Sequence, residues 1–197
     1  MALQILQEIS RKTIHVMILF VLVIFYAVRN TVGEQAAFMF LAALLAFFLI
    51  IEYLRLDLNI KLPFFHQFIR PKEEYRVYGA IFFLSSTIIS LAIFSTPVAL
   101  AALLMTAFGD MAAAIVGKRY GATLLFRSKT LIGFVAGLIT NLLIAVAISL
   151  SFSINLYILI VMAFAATITE TITDEMDDNL MVPILAGFIG QVLLLAI

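Results

Sequence analysis

Seven apolar stretches dominate this sequence, near residues 12–28, 35–54, 77–94, 97–116, 131–150, 154–172 and 181–197. Each is close to the roughly 20 residues an α-helix needs to cross a bilayer, and together they leave little chain for anything else. A bilayer core offers no water to a backbone N–H or C=O, so such stretches must be helical. The expected fold is all-α: a polytopic membrane protein of about seven transmembrane helices, forming one unit over 1–197. Residues are 64% hydrophobic and 12% charged, against about a quarter charged in ordinary soluble domains. This excludes a soluble globule, a disordered chain and a basic nucleic-acid binder. The first stretch reads as a span and not a cleavable leader, having no small-residue cleavage site.

Charge placement sets the orientation. With the N-terminus cytoplasmic, the inner segments hold Arg11, Lys12, Arg55, Lys61, Arg70, Lys72, Arg76, Lys118, Arg119, Arg127 and Lys129, while the outer side holds Arg29 alone. That is the positive-inside pattern. The connection 55–76 mixes these bases with Leu56, Ile60, Phe64, Phe65 and Phe68, as an interfacial segment does, serving as an anchor or as a gate for lipid. Polar residues thus gather on one face, which favours a one-sided enzyme over a through-path.

Four groups of residues stand out against the apolar background. Asp110 follows Gly109 and precedes three alanines, and a charge at membrane depth costs about 2.5–3.5 kcal/mol on insertion scales. It is either an ion-pair partner or a metal- or phosphate-handling group. Next comes the basic loop 117–130, with Gly117, Lys118, Arg119 and Gly121, then Lys129, Thr130 and Gly133. Glycines flanking bases give exposed N–H groups and positive charge, as a polyphosphate requires, although a purely topogenic loop would look alike. The Gly133–Gly137 spacing is that of helix packing. A third group is Glu170, Asp174, Glu175, Asp177, Asp178 and Asn179. Glu170, Asp174, Asp177 and Asp178 share one face if the sixth helix continues inward, and such a face must meet cations. Asp174, Glu175 and Asp177 read more simply as a solvated acidic loop. Lastly, Glu8, Arg11 or Lys12, and His15 share a face at the start of the first helix. There are no cysteines, so a metal would sit on oxygens or on His15 and His66.

Read in order, the chain gives Arg11-Lys12-x-x-His15, Glu52-x-x-Arg55, Arg70 with Glu73 ahead of Gly79-Ala80, and Gly109-Asp110-x-x-Ala113-x-x-x-Gly117-x-x-x-Gly121. Lys129-Thr130-x-x-Gly133 follows, then Glu170 ahead of Asp178-Asn179-x-x-x-Pro183. From residue 8 to about 187 this resembles the CTP-dependent polyprenol and lipid kinases: dolichol kinase, phytol kinase and CTP-type diacylglycerol kinases. The resemblance implies a catalytic domain that transfers the γ-phosphoryl group of CTP to the hydroxyl of a membrane lipid alcohol. It implies Mg²⁺ on Asp110, shared with Asp178 or Asn179. Arg11, Lys12, His15, Gly117, Lys118, Arg119, Gly121, Lys129, Thr130 and Gly133 would hold the nucleotide, with Lys129 also acting in catalysis. Glu170 would orient or deprotonate the hydroxyl. The expected site is a pocket wide enough for a triphosphate and open to lipid. Two alternatives stay open: a CDP-lipid synthase of the related cytidylyltransferases, and a non-enzymatic small transporter or assembly subunit.

Overall fold

The computed structural model describes residues 19–58, 77, 79–127, 129–173 and 178–197. Expectations for Arg11, Lys12 and His15, for most of the 55–76 connection and for residues 174–177 lie outside the described residues. The chain runs through α1 (Leu19–Thr31) and α2 (Glu34–Leu56), then α3 (Gly79–Ile93). A rod follows, built of α4 (Thr96–Leu104), a π-helical turn (Met105–Gly109) and α5 (Asp110–Tyr120). A short hairpin of β1 (Leu124–Phe126) and β2 (Lys129–Thr130) leads into α6 (Leu131–Phe152), α7 (Leu156–Ile172) and α8 (Asp178–Ala196).

Counting the rod as one, seven helices stand among the described residues, and they overlay the seven apolar stretches. Four of them, α2, the rod, α6 and α8, are long and apolar enough to cross a bilayer. Their ends carry ordinary stop and start chemistry. Pro97 opens the rod, where a missing N–H costs nothing. The Thr130 hydroxyl accepts the Gly133 N–H at 3.2 Å to cap α6, and Asn155 Oδ1 accepts the Tyr157 N–H at 3.0 Å to cap α7.

The rod is the centre of the molecule. Its apolar window is 56% buried, against 17–33% for the other three long helices, which present most of their surface outward. Ala99, Ala102 and Met105 of the rod pack with Leu159, Met162 and Ala163 of α7 and with Val182 and Ala186 of α8. A second cluster of Phe25, Ala37, Leu41 and Leu84 joins α1, α2 and α3. Between helices, small side chains permit the close approach that dispersion needs, because lipid gives apolar surfaces no hydrophobic incentive to associate.

Two details fix the ends of α7 and α8. Sequence reading extends the sixth span inward so that Glu170 and Asp178 share its face. Instead α7 stops at Ile172, with Thr173 in an extended conformation, and Asp178 opens the next helix. Glu170 and Asp178 therefore do not share one helical face, and they reach the same place from two helices. The second detail concerns Pro183, inside α8, which has no N–H for the carbonyl of Asn179 one turn earlier. The Ser86 hydroxyl of α3 lies 2.8 Å from that carbonyl and 2.9 Å from its own Phe83 carbonyl, so its proton is shared between them. A proline thus creates a vacancy in one helix that a serine on another fills.

That coupling is measurable. Ser86→Ala should lower the unfolding free energy by about 1–3 kcal/mol, the cost of an unmet buried acceptor. In a Pro183→Ala background, where the helix supplies its own N–H, the same change should cost less. Equal costs in both backgrounds, from thermal unfolding of the purified protein in detergent, would show that the serine does not serve the proline gap.

Candidate functional site

A narrow polar cleft lies where the π-turn, α6, α7 and α8 meet. Its walls are Met105, Thr106, Asp110, Asn141, Ala166, Glu170, Asp178, Asn179 and Val182. Four of the residues singled out in the sequence, Asp110, Glu170, Asp178 and Asn179, come together here from three helices. Asp110, Glu170 and Asn179 are buried, and Asp178 is partly so. The cleft contains about 230 Å³ of unfilled space, none of it wide enough for a water molecule. The expectation of a pocket wide enough for a triphosphate is not met among the described residues, because the walls close on one another.

The rod reaches the cleft through its π-turn, which widens the helix just before Asp110. Opposite stands α6, and the two approach through glycines. A methyl group at Gly109 would overlap the Asn141 carboxamide, and one at Gly133 would lie 2.8 Å from the Ala113 carbonyl oxygen. At Gly117 it would lie 2.8 Å from Thr130 Oγ1. These contacts correct the reading of 117–130 as a loop of exposed N–H groups. Gly117, Lys118 and Arg119 finish α5. The Gly121 N–H donates to the Gly117 carbonyl at 2.9 Å, and the Gly133 N–H donates to Thr130. The glycines permit close packing, and the N–H groups of Gly121 and Gly133 are already bonded within the protein. The expected packing role of Gly133 and Gly137 holds, for a methyl at Gly137 would lie 3.3 Å from both Ala113 Cβ and Gly109 O.

Lys118 and Arg119 sit exposed on the last turn of α5, about 12 Å along the helix from Asp110. The Arg119 guanidinium lies 5.3 Å from the centre of the Tyr120 ring. Neither base lines the cleft. Lys129 is different: from β2 its ammonium reaches Glu170 Oε1 at 2.9 Å, with the lysine side chain 31% exposed and the glutamate 6%. Two residues assigned separately from sequence, one to phosphate and one to the hydroxyl, are thus partners. Glu52 and Arg55 also pair, Nε to Oε2 at 3.0 Å, at the end of α2 and outside the cleft walls. At the far end of α1 and α2, Arg29 bonds Glu34 at 3.2 Å.

Asn141 and Thr106 went unremarked in the sequence. Asn141 is 1% exposed, and its Nδ2 donates to Thr167 Oγ1 at 3.0 Å, while the Thr167 hydroxyl donates to the Ala163 carbonyl at 2.8 Å. Its Oδ1 has no hydrogen-bond partner. The signal for it was a lone carboxamide in a 22-residue apolar helix. Such residues in membrane helices are glue or function.

The chain matches no family model, no curated protein and no solved structure. Its chemistry must be read from the cleft itself. Among the described residues no three Asp, Glu or His side chains form a metal-holding group. A cation between Asp110 and Asp178 would therefore draw on neutral oxygens as well. The oxygens of these walls, including the unbonded Asn141 Oδ1, suit a small hard ion.

The Lys129–Glu170 pair offers a direct test. Lys129→Met leaves a buried carboxylate without its cation and should cost about 1–3 kcal/mol of stability. Adding Glu170→Gln should recover most of that loss. A melting temperature unchanged in Lys129→Met would show that the pair holds nothing together.

Proposed function

We propose that this chain is a multi-pass membrane phosphotransferase with seven spans and a cytoplasmic N-terminus. On this reading it moves the γ-phosphoryl group of CTP to the hydroxyl of a membrane lipid alcohol of the polyprenol or dolichol type. The observation that carries it is the convergence of Asp110, Glu170, Asp178 and Asn179 in one buried cleft, with the cation of Lys129 at Glu170. Carboxylates are costly inside an apolar bundle, and a site that handles a cation and a transferring phosphoryl group gives them a purpose. The gathering of charged groups at one end of the bundle, with the Arg29–Glu34 pair as the charged groups at the other among the described residues, fits a one-sided reaction better than a channel.

Bound Mg²⁺ would neutralise phosphate charge, with Asp110, Asp178 and Asn179 as its protein oxygens. The remaining work falls to the chain. Lys129 exchanges its Glu170 partner for a phosphate oxygen, which frees the carboxylate. Glu170 then accepts the proton of the alcohol as that oxygen bonds to the γ-phosphorus, and the bond to the β-phosphate oxygen breaks to release CDP. On this reading the exposed bases of α5, Lys118 and Arg119, would meet the outer phosphates and the nucleotide in water.

The deciding experiment incubates purified protein with γ-labelled CTP, Mg²⁺ and a panel of lipid alcohols. Label should pass to lipid with release of CDP. Asp110→Asn should cut turnover by at least about 100-fold while the protein still folds. Lys129→Ala should raise the KM for CTP and leave that for the alcohol unchanged. Pyrophosphate in place of CDP would identify a CDP-lipid synthase, and no turnover with any alcohol and nucleotide would end the enzyme reading.

A further inference from the structure

Asn141 is the one wall residue whose buried oxygen has no hydrogen-bond partner. Its orientation is not free. The Thr167 hydroxyl gives its single proton to the Ala163 carbonyl at 2.8 Å, so it can only accept from Asn141, and it does so from Nδ2 at 3.0 Å. A reversed carboxamide would set oxygen against oxygen there. The relay from Ala163 through Thr167 therefore locks Asn141, a residue of the cleft wall, with Oδ1 on the side of Gly109.

A buried acceptor without a donor costs about 1–3 kcal/mol, and a locked one cannot relax away from it. Its neighbours across the cleft are acceptors too. Asp110 offers a carboxylate, and the Thr106 hydroxyl gives its proton to the Ala102 carbonyl at 2.8 Å, leaving only lone pairs. Such a wall repels phosphate and attracts a cation.

We propose that the carbonyl oxygen of Asn141 is a protein ligand of the divalent cation held at Asp110, with Thr167 as the residue that positions it. This rests on the cation reading of Asp110 given above and adds a ligand from α6 to those from the rod and α8. The neutral amide completes an oxygen set that carboxylates alone do not supply among the described residues. It suits Mg²⁺ or Mn²⁺, which take oxygen ligands at short distance.

The test is Mn²⁺ binding to the purified full chain in detergent, followed by electron paramagnetic resonance without nucleotide and with CTP. Wild type should bind and Asp110→Asn should not. Asn141→Ala should weaken binding at least ~10-fold, the smallest loss expected even of an outer-shell partner. Asn141→Asp keeps the shape, adds charge and should bind Mn²⁺ more tightly. Thr167→Val unlocks the amide without removing it and should weaken binding about 10-fold. If Asp110→Asn abolishes binding but Asn141→Ala and Asn141→Asp match wild type, the inference about Asn141 fails and the cation reading stands. If wild type binds no Mn²⁺ under either condition, the cation reading itself fails. A raised KM for the alcohol in Asn141→Ala with unchanged Mn²⁺ affinity would assign the oxygen to the acceptor hydroxyl and overturn the proposal.

Discussion

Four glycines set the distance between the rod and α6, and every polar contact of the cleft depends on that distance. Gly109, Gly117, Gly133 and Gly137 lie along the line where the two helices cross, and a single methyl group at any of the first three would meet backbone or fixed side-chain atoms. In lipid, backbones approach this closely only where side chains are missing. The crossing brings Asn141 beside Gly109 and seats Thr130 against Gly117. The hairpin is thereby folded back so that Lys129 reaches Glu170. A wider separation would remove the cleft and leave Asp110 facing lipid.

Onto this crossing, α7 and α8 are held by polar bonds that an apolar bundle can ill afford to leave unmade. Thr167 ties α7 to α6 through Asn141, Lys129 ties α7 to the hairpin, and Ser86 ties α3 to the gap that Pro183 opens in α8. Each bond also aims a group. Thr167 decides which atom of Asn141 meets the cleft, and the Pro183 gap places Ser86 at the level of Asn179. Stability and site geometry are carried by the same interactions, since a buried polar group must be bonded and a bonded group has a direction.

The pairing of Lys129 with Glu170 changes how two assigned roles relate. Read apart, one is a phosphate contact and the other a base. As partners they form one ion pair, and the proposed phosphoryl transfer would need it to open, with the carboxylate released when a phosphate draws the lysine away. Their exposures, 31% and 6%, fit a cation at the rim and a carboxylate inside.

The sequence alone determined the helices and their number, because apolar stretches of spanning length admit no other backbone in a bilayer. It also singled out Asp110 and Glu170, since a charged side chain in an apolar run is conspicuous at one position without knowledge of any other, and Asp178 and Asn179 as the end of an acidic cluster. It did not determine partners. The run Glu170 to Asp178 reads as one helical face because periodicity assumes an unbroken helix, whereas the helix ends at Ile172 and Asp178 opens another. Gly117 and Gly121 looked like phosphate donors because composition cannot tell whether an N–H is already bonded. Asn141 passed unnoticed beside Thr140 in a run that otherwise reads as membrane. Only the tertiary structure decided that its amide meets Thr167, 26 positions away, and that its oxygen meets Gly109, because those contacts cross helices whose spacing is set by side chains that are absent.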